Sequence, residues 1–162
     1  MMTRNIRETG ATMNDAISIE GFRFPADRHY DREHHLWAMA EPDGASILVG
    51  LDALSLASLG DLAYVAVSEP GTEVARGESI GTLEAAKITG EIFAPLGGVV
   101  RRRNEPALRD PSLVNADGYG CWPVAIEPSG WESDAAGMVF GENLEAWVRE
   151  EIIRYREEGW ID

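Results

Sequence analysis

The sequence predicts a small all-β sandwich or barrel that ends in a helix. Three observations carry that expectation. Short β-like runs follow one another from Ile17 onward, turn signals rich in Gly, Pro and Asn separate them, and after Pro128 the apolar residues switch to helical spacing.

The runs, in order, are "SILVGL", "LAYVAV", "ESIGTLEA", "ITGEIFA", "GVVRRR" and "WPVAIEP". Between them stand "EPDG", "EPGTEVARGE", "PLGG" and "NADGYG", whose Gly, Pro and Asn residues favour turns. "DALSLASLG" is expected to form a helical turn or two between strands. Residues 1–17 are polar and aperiodic and read as a loose N-terminal tail, with Met13 as an alternative start. Residues 18–129 form the β unit. Residues 130–162 form a helical extension in which Leu144, Trp147, Val148, Ile152 and Tyr155 share one stripe, with Asn143 as N-cap. Glu145 and Arg149, and Glu150 and Arg154, are four apart in the order that favours ion pairs. The expected place for this helix is against its own domain.

Charge and cysteine usage exclude whole classes of function. With 28 acidic and 14 basic residues, the net charge is −14, which argues against nucleic acid or an anionic membrane as partner. The single cysteine, Cys121, excludes an internal disulfide framework and a cysteine-rich zinc site. No run of 18 apolar residues occurs, and "MMTRNIRETGATMNDA" has no apolar signal region. The expectation is a soluble, cytoplasmic protein.

One residue stands apart. Lys87 is the chain's only lysine; the other 13 basic residues are arginine. It falls between "SIGTLEA" and "ITGEIFA", two alternating runs that make a hairpin around Ala86-Lys87. A lysine at such a tip is accessible to a modifying enzyme, and its amine can form an amide with a cofactor carboxylate, which a guanidinium does not. Position alone leaves two readings open: a modification site, or a lysine that survived arginine-biased codon usage.

The surrounding residues bear on that choice. Leu59-Gly60-Asp61, Pro70-Gly71-Thr72-Glu73-Val74, Gly77-Glu78, Glu84-Ala85-Ala86-Lys87 and Ala94-Pro95-Leu96-Gly97-Gly98 occur in this order around the lysine. "HYDREHHLWA" lies upstream and "LVNADGYGCW" downstream. Together they resemble the H protein of the glycine cleavage system and related lipoyl domains, from about Phe24 to Pro128. The upstream segment has one extra residue before Trp37, and the downstream one is a residue shorter between Tyr119 and Trp122.

The resemblance implies a mainly β barrel-sandwich hybrid of two small antiparallel sheets, with peripheral helices and a C-terminal helix. It implies lipoic acid attached to Lys87, with Glu84 as a recognition residue near it. The role it implies is that of a carrier, not a catalyst. The partners it implies are a lipoate ligase or lipoyl transferase, a dihydrolipoamide dehydrogenase-type enzyme, and the enzymes that load and unload the arm.

Departures from the family pattern surround the cargo rather than the scaffold. Where H proteins read E-S-V-K-A, this chain has Glu84-Ala85-Ala86-Lys87-Ile88. Where they read I-T-D-x-A-Q, it has Leu51-Asp52-Ala53-Leu54-Ser55-Leu56. Asp52 and Ser58 remain as candidate polar groups near the arm. These replacements favour a diverged H-like lipoate-binding protein, such as those serving heterodisulfide-reductase-like enzymes in sulfur oxidation, over an aminomethyl-carrying H protein of glycine cleavage. An unlipoylated H-like binding module is the third reading, and retention of Lys87 and Glu84 argues against it.

Other chemistries fit less well. Biotin sites flank their lysine with methionine, whereas Ala86 and Ile88 flank this one. His34 and His35 beside Glu33 lack a complete metal ligand set and read as structural or surface residues. Cys121 beside Trp122 reads as buried and inert.

Overall fold

The structure, a computed structural model, describes residues 15–162. Most of the expected N-terminal tail, Met13 included, lies outside the described residues. Its last residues, Ala16 and Ile17, belong to a strand, β1 (Ala16–Ile19), which pairs with β2 (Phe22–Pro25) as a two-stranded hairpin.

Two further antiparallel sheets form the body, as expected. The larger has six strands in the order β3 (His29–Tyr30), β4 (Leu36–Ala40), β5 (Ile47–Leu51), β11 (Val124–Pro128), β10 (Gly98–Arg103) and β7 (Glu73–Val74). The smaller has three: β6 (Leu62–Val67), β8 (Ser79–Ala85) and β9 (Thr89–Phe93). Between β5 and β6 lies α1 (Ala53–Leu59), the helix expected from "DALSLASLG".

Alternation in the central strands explains why their sequences read as continuous apolar runs. Leu36, Ala38, Val49, Leu51, Val124 and Ile126 point between the two sheets, against Leu62, Val65, Ile80, Leu83 and Ile92. Their neighbours Trp37, Leu48 and Ala125 point the other way, into a second cluster with Phe24, Tyr30 and Leu54. A sheet covered on both faces has no polar side to alternate with.

The cover on that second face is the C-terminal helix α5 (Leu144–Glu157), which contributes Leu144, Trp147, Val148, Ile152 and Tyr155. This is the stripe expected from its spacing. Two local expectations differ. Asn143 occupies the N-cap position but makes no side-chain capping bond, because the helix grows out of a 3-10 turn over Gly141–Asn143. Arg149 pairs with Glu145 at 2.8 Å as expected, but Arg154 turns from exposed Glu150 to buried Glu151 at 2.6 Å. A carboxylate removed from water attracts the guanidinium more strongly.

Two short helices, α2 (Glu105–Arg109) and α3 (Ser112–Ala116), leave no periodic signal in the sequence, whereas α4 (Trp131–Ala136) opens the expected helical extension. Strands β8 and β9 carry Lys87 at their turn and end beside α1 and α3.

Candidate functional site

The turn bearing Lys87 is built almost entirely from backbone hydrogen bonds. Strands β8 and β9 pair up to Glu84 and Thr89, and the Ala85 N–H closes the turn on the Ile88 carbonyl at 2.9 Å. The turn is then strapped to the end of α1. The Lys87 N–H donates to the Leu59 carbonyl at 3.2 Å, and the Ala86 N–H donates to the Asp61 carbonyl at 2.9 Å. Gly60 lies between, with φ +81° and ψ −156°, a conformation essentially reserved for glycine. Asn115 of α3 completes the strap: its amide donates to the Gly60 carbonyl at 3.1 Å and its oxygen accepts the Leu62 N–H at 2.8 Å. Leu59 and Asp61 thus tie the lysine turn to the end of α1, and Asn115 ties the backbone between them to α3.

A consequence is testable at Gly60. A Cβ there would lie 3.4 Å from that of Ala86 in a backbone conformation unsuited to it. Gly60→Ala should cost about 1–3 kcal/mol and speed amide exchange at Ala86 and Lys87. Denaturant melts with hydrogen exchange would read both, and unchanged protection at those amides would discard the strap.

The Lys87 side chain is exposed, and its Nζ donates to the Ala57 carbonyl at 3.3 Å. It lines a cleft of about 490 Å³ between α1, the lysine turn and the C-terminal tail. Leu59, Ile88, Tyr155, Trp160 and Ile161 supply apolar walls, and Glu33, Ser58 and Asp162 supply polar groups. A second hollow of about 190 Å³ shares Ser58, Leu59 and Ile88 with it. Its surface is mostly apolar, through Leu36, Leu51, Leu83, Ile92 and Phe93, with His34 and Glu91 also lining it.

The other expected site residues fall in different places. Ser58 lines both hollows. Asp52 does not: it is fully buried, capping α1 through the Ser55 N–H at 2.9 Å. Its place as helix N-cap, on the core side, keeps it out of both hollows. Leu54 likewise points into the core. Glu84 is exposed but lines a separate shallow groove with Tyr64, Thr82 and Glu91. Cys121 is half-buried, and burial with the nearby Asp117 carboxylate pushes its thiol up, away from the reactive thiolate.

His34 and His35 part company. His34 packs on Phe93, ring centroids 4.8 Å apart. His35 is fully buried, stacked on Trp147 at 4.7 Å, with Nδ1 2.7 Å from Asp52 and Nε2 2.7 Å from Glu151. Burial alone would lower the imidazole, but the two carboxylates outweigh it and hold its pKa at about 9. Glu151 answers in kind: burial would raise it, yet His35 and Arg154 hold it down at about 2. No group of three or more His, Cys, Asp or Glu that could hold a metal ion occurs among the described residues.

Sequence reasoning missed Glu33, Tyr155 and Trp160 to Asp162 as parts of the cleft, and Glu91 as part of the second hollow. Only the tail left a signal, since Gly159 after a helical run marks a C-terminal turn.

Comparison with known proteins adds an independent line. The family model described as "Glycine cleavage H-protein" matches residues 28–151. The glycine cleavage system H protein of Myxococcus xanthus is 41% identical over 106 residues, covering 65% of this chain and 80% of its own. A probable glycine cleavage system H protein of Pyrococcus abyssi is 32% identical over 133 residues, covering 82% of this chain and 98% of its own. The crystal structure of a glycine cleavage system H protein from Mycobacterium marinum is similar with a TM-score of 0.65 at 27% identity, covering 79% of this chain and 98% of that one. Residues 152–162 lie beyond the family match.

Proposed function

Because the chain belongs to the glycine cleavage H-protein family, we propose that it is a cytoplasmic lipoyl carrier, modified on Lys87, that presents a cargo bearing an amine to the enzymes of glycine cleavage. The observation that carries this reading is the cleft beside Lys87, which combines apolar walls for a hydrocarbon arm with the acidic residues Glu33 and Asp162. When bound, lipoic acid would supply a cyclic disulfide in which one sulfur bonds the cargo carbon as the S–S bond breaks and the other becomes a thiol, the electron pair coming from the cargo.

The protein's own residues anchor, cover and orient. The strapped turn fixes the point of attachment. Leu59 and Ile88 offer apolar surface to an arm leaving that point. Once Lys87 is acylated its charge is gone, and Glu33 and Asp162 remain as acceptors for a cationic group, through hydrogen bonds roughly twice as strong as neutral ones. The sequence argument for a diverged carrier rested on the polar groups replaced near Lys87. Those acids come instead from segments far along the chain. Attachment requires a lipoate ligase or lipoyl transferase, and reoxidation a dihydrolipoamide dehydrogenase-type enzyme.

A second reading, service to heterodisulfide-reductase-like enzymes in sulfur oxidation, draws on the mainly apolar surface of the smaller hollow, which suits a soft sulfur cargo. One assay separates them. The lipoylated protein is mixed with glycine-cleavage decarboxylase, and exchange of the glycine carboxyl carbon with bicarbonate is measured. Exchange comparable to that given by a standard H protein is expected. No exchange from an arm that dihydrolipoamide dehydrogenase still turns over would overthrow the amine cargo and leave the sulfur reading.

A further inference from the structure

We infer that the C-terminal turn, Gly159 to Asp162, is a purpose-built wall of the resting site for the lipoyl arm, with Trp160 packing against the dithiolane; this rests on the lipoyl reading of Lys87. Tyr155, Gly159, Trp160, Ile161 and Asp162 all line the cleft that Lys87 lines, and all lie beyond the stretch that matches the family model.

The turn is held by specific bonds. The Trp160 N–H donates to the Tyr155 carbonyl at 2.9 Å and the Gly159 N–H to the Arg156 carbonyl at 3.1 Å, with Gly159 at φ +80°. This paired closure reverses the chain at the end of α5 and returns it toward α1. Trp160 meets Tyr155 edge-on at 5.0 Å, and the Arg154 guanidinium lies 5.5 Å from its ring centre. Beyond it, Arg156 donates to the Asp162 backbone carbonyl at 2.9 Å. Arg154 is itself fixed by Glu151, which His35 fixes in turn. A chain of contacts thus runs from the core to the last residue.

Trp160 nevertheless keeps 44% of its surface exposed, and Ile88 across the cleft keeps 57%. Large apolar side chains held in place yet uncovered call for an occupant. The tether names it. An arm attached to Lys87 is present at the cleft at a high effective concentration that no free ligand matches. Its methylenes suit Leu59, Ile88 and Ile161, and its sulfurs are polarizable partners for an indole ring.

The test uses the full chain in lipoylated form, with modification first checked by intact mass. The arm is reduced with a phosphine, and alkylation of its thiols by iodoacetamide is followed peptide by peptide, with Cys121 as an internal clock. Trp160→Ala should speed alkylation of the arm by about two- to tenfold and leave the Cys121 rate unchanged, while Trp160→Phe should restore most of the protection. In heteronuclear spectra of the wild-type chain, the Trp160 indole N–H signal should move on lipoylation while that of buried Trp37 stays. Equal arm rates in wild type and Trp160→Ala, with an indole signal indifferent to lipoylation, would overturn the tail wall and leave the carrier reading intact. A Lys87 that stays bare in a lipoylating host would instead remove the carrier reading, and the wall with it.

Discussion

Lys87→Arg is expected to abolish lipoylation and every carrier activity that depends on it, while changing stability by no more than about 0.5 kcal/mol. The guanidinium is not acylated by the enzymes that attach lipoate, and no second lysine exists to take over. Stability should survive because the turn is held by the Ala85, Ala86 and Lys87 amides, which the substitution leaves in place. The side chain itself is exposed, and its one hydrogen bond, to Ala57, is long. Intact mass of protein made in a lipoylating host should show the adduct on the wild type and none on the variant. Carrier turnover by Lys87→Arg would disprove the assignment outright.

The largest stability effect should come from His35→Gln, which keeps hydrogen-bonding capacity but cannot carry charge. It leaves Asp52 and Glu151 without their shared partner and should cost about 3–5 kcal/mol, the range for breaking a buried ion pair. The pH dependence distinguishes this from a simple packing loss. His35 has a raised pKa, so its contribution is fully present below about 6.5 and fades as pH rises through about 9. Its size, from the shift alone, is on the order of 3 kcal/mol. Glu151 has a lowered pKa, so its contribution is present above about 4.5 and fades as pH falls toward about 2. Wild-type stability should therefore decline between pH 6.5 and 9.5, and the variant's should stay nearly level there. Parallel alkaline slopes in urea titrations would refute the charged network.

What was legible in the sequence was local. The β8–β9 hairpin and its lysine could be read because side chains alternate on both strands and a single amine stands between them. Helix α5 could be read from its stripe. The short helices α2 and α3 could not, since Pro106 and Pro111 cut "EPALRDPSLVNA" into pieces of five residues, too short to show a period. Strand β7 is two residues long, too short to alternate, and sits inside the turn-rich segment "EPGTEVARGE". The cleft was legible only in part, because its polar groups and aromatics come from segments 29 to 75 positions away from Lys87 in the chain: Glu33 is 54 before it, Ser58 29 before it, and Asp162 75 after it. The buried His35–Glu151 bond, spanning 116 positions, gave no local sign at all. Sequence spacing reports short-range order, and replaced polar residues near Lys87 said nothing about groups arriving from elsewhere.

The second core cluster has a consequence for how the chain is made. Phe24, Tyr30 and Trp37 leave the ribosome more than a hundred residues ahead of the residues that cover them, Trp147, Val148 and Ile152. The sheets that carry Lys87 are complete once β11 has been translated, and the three aromatics must wait until α5 has emerged. Over that interval the nascent chain displays a sticky aromatic face, the kind of surface that chaperones bind. Ribosome pausing between β11 and α5 would prolong it, so abundance in the cell should be more sensitive to lesions in α5 than its distance in sequence from the lysine would imply.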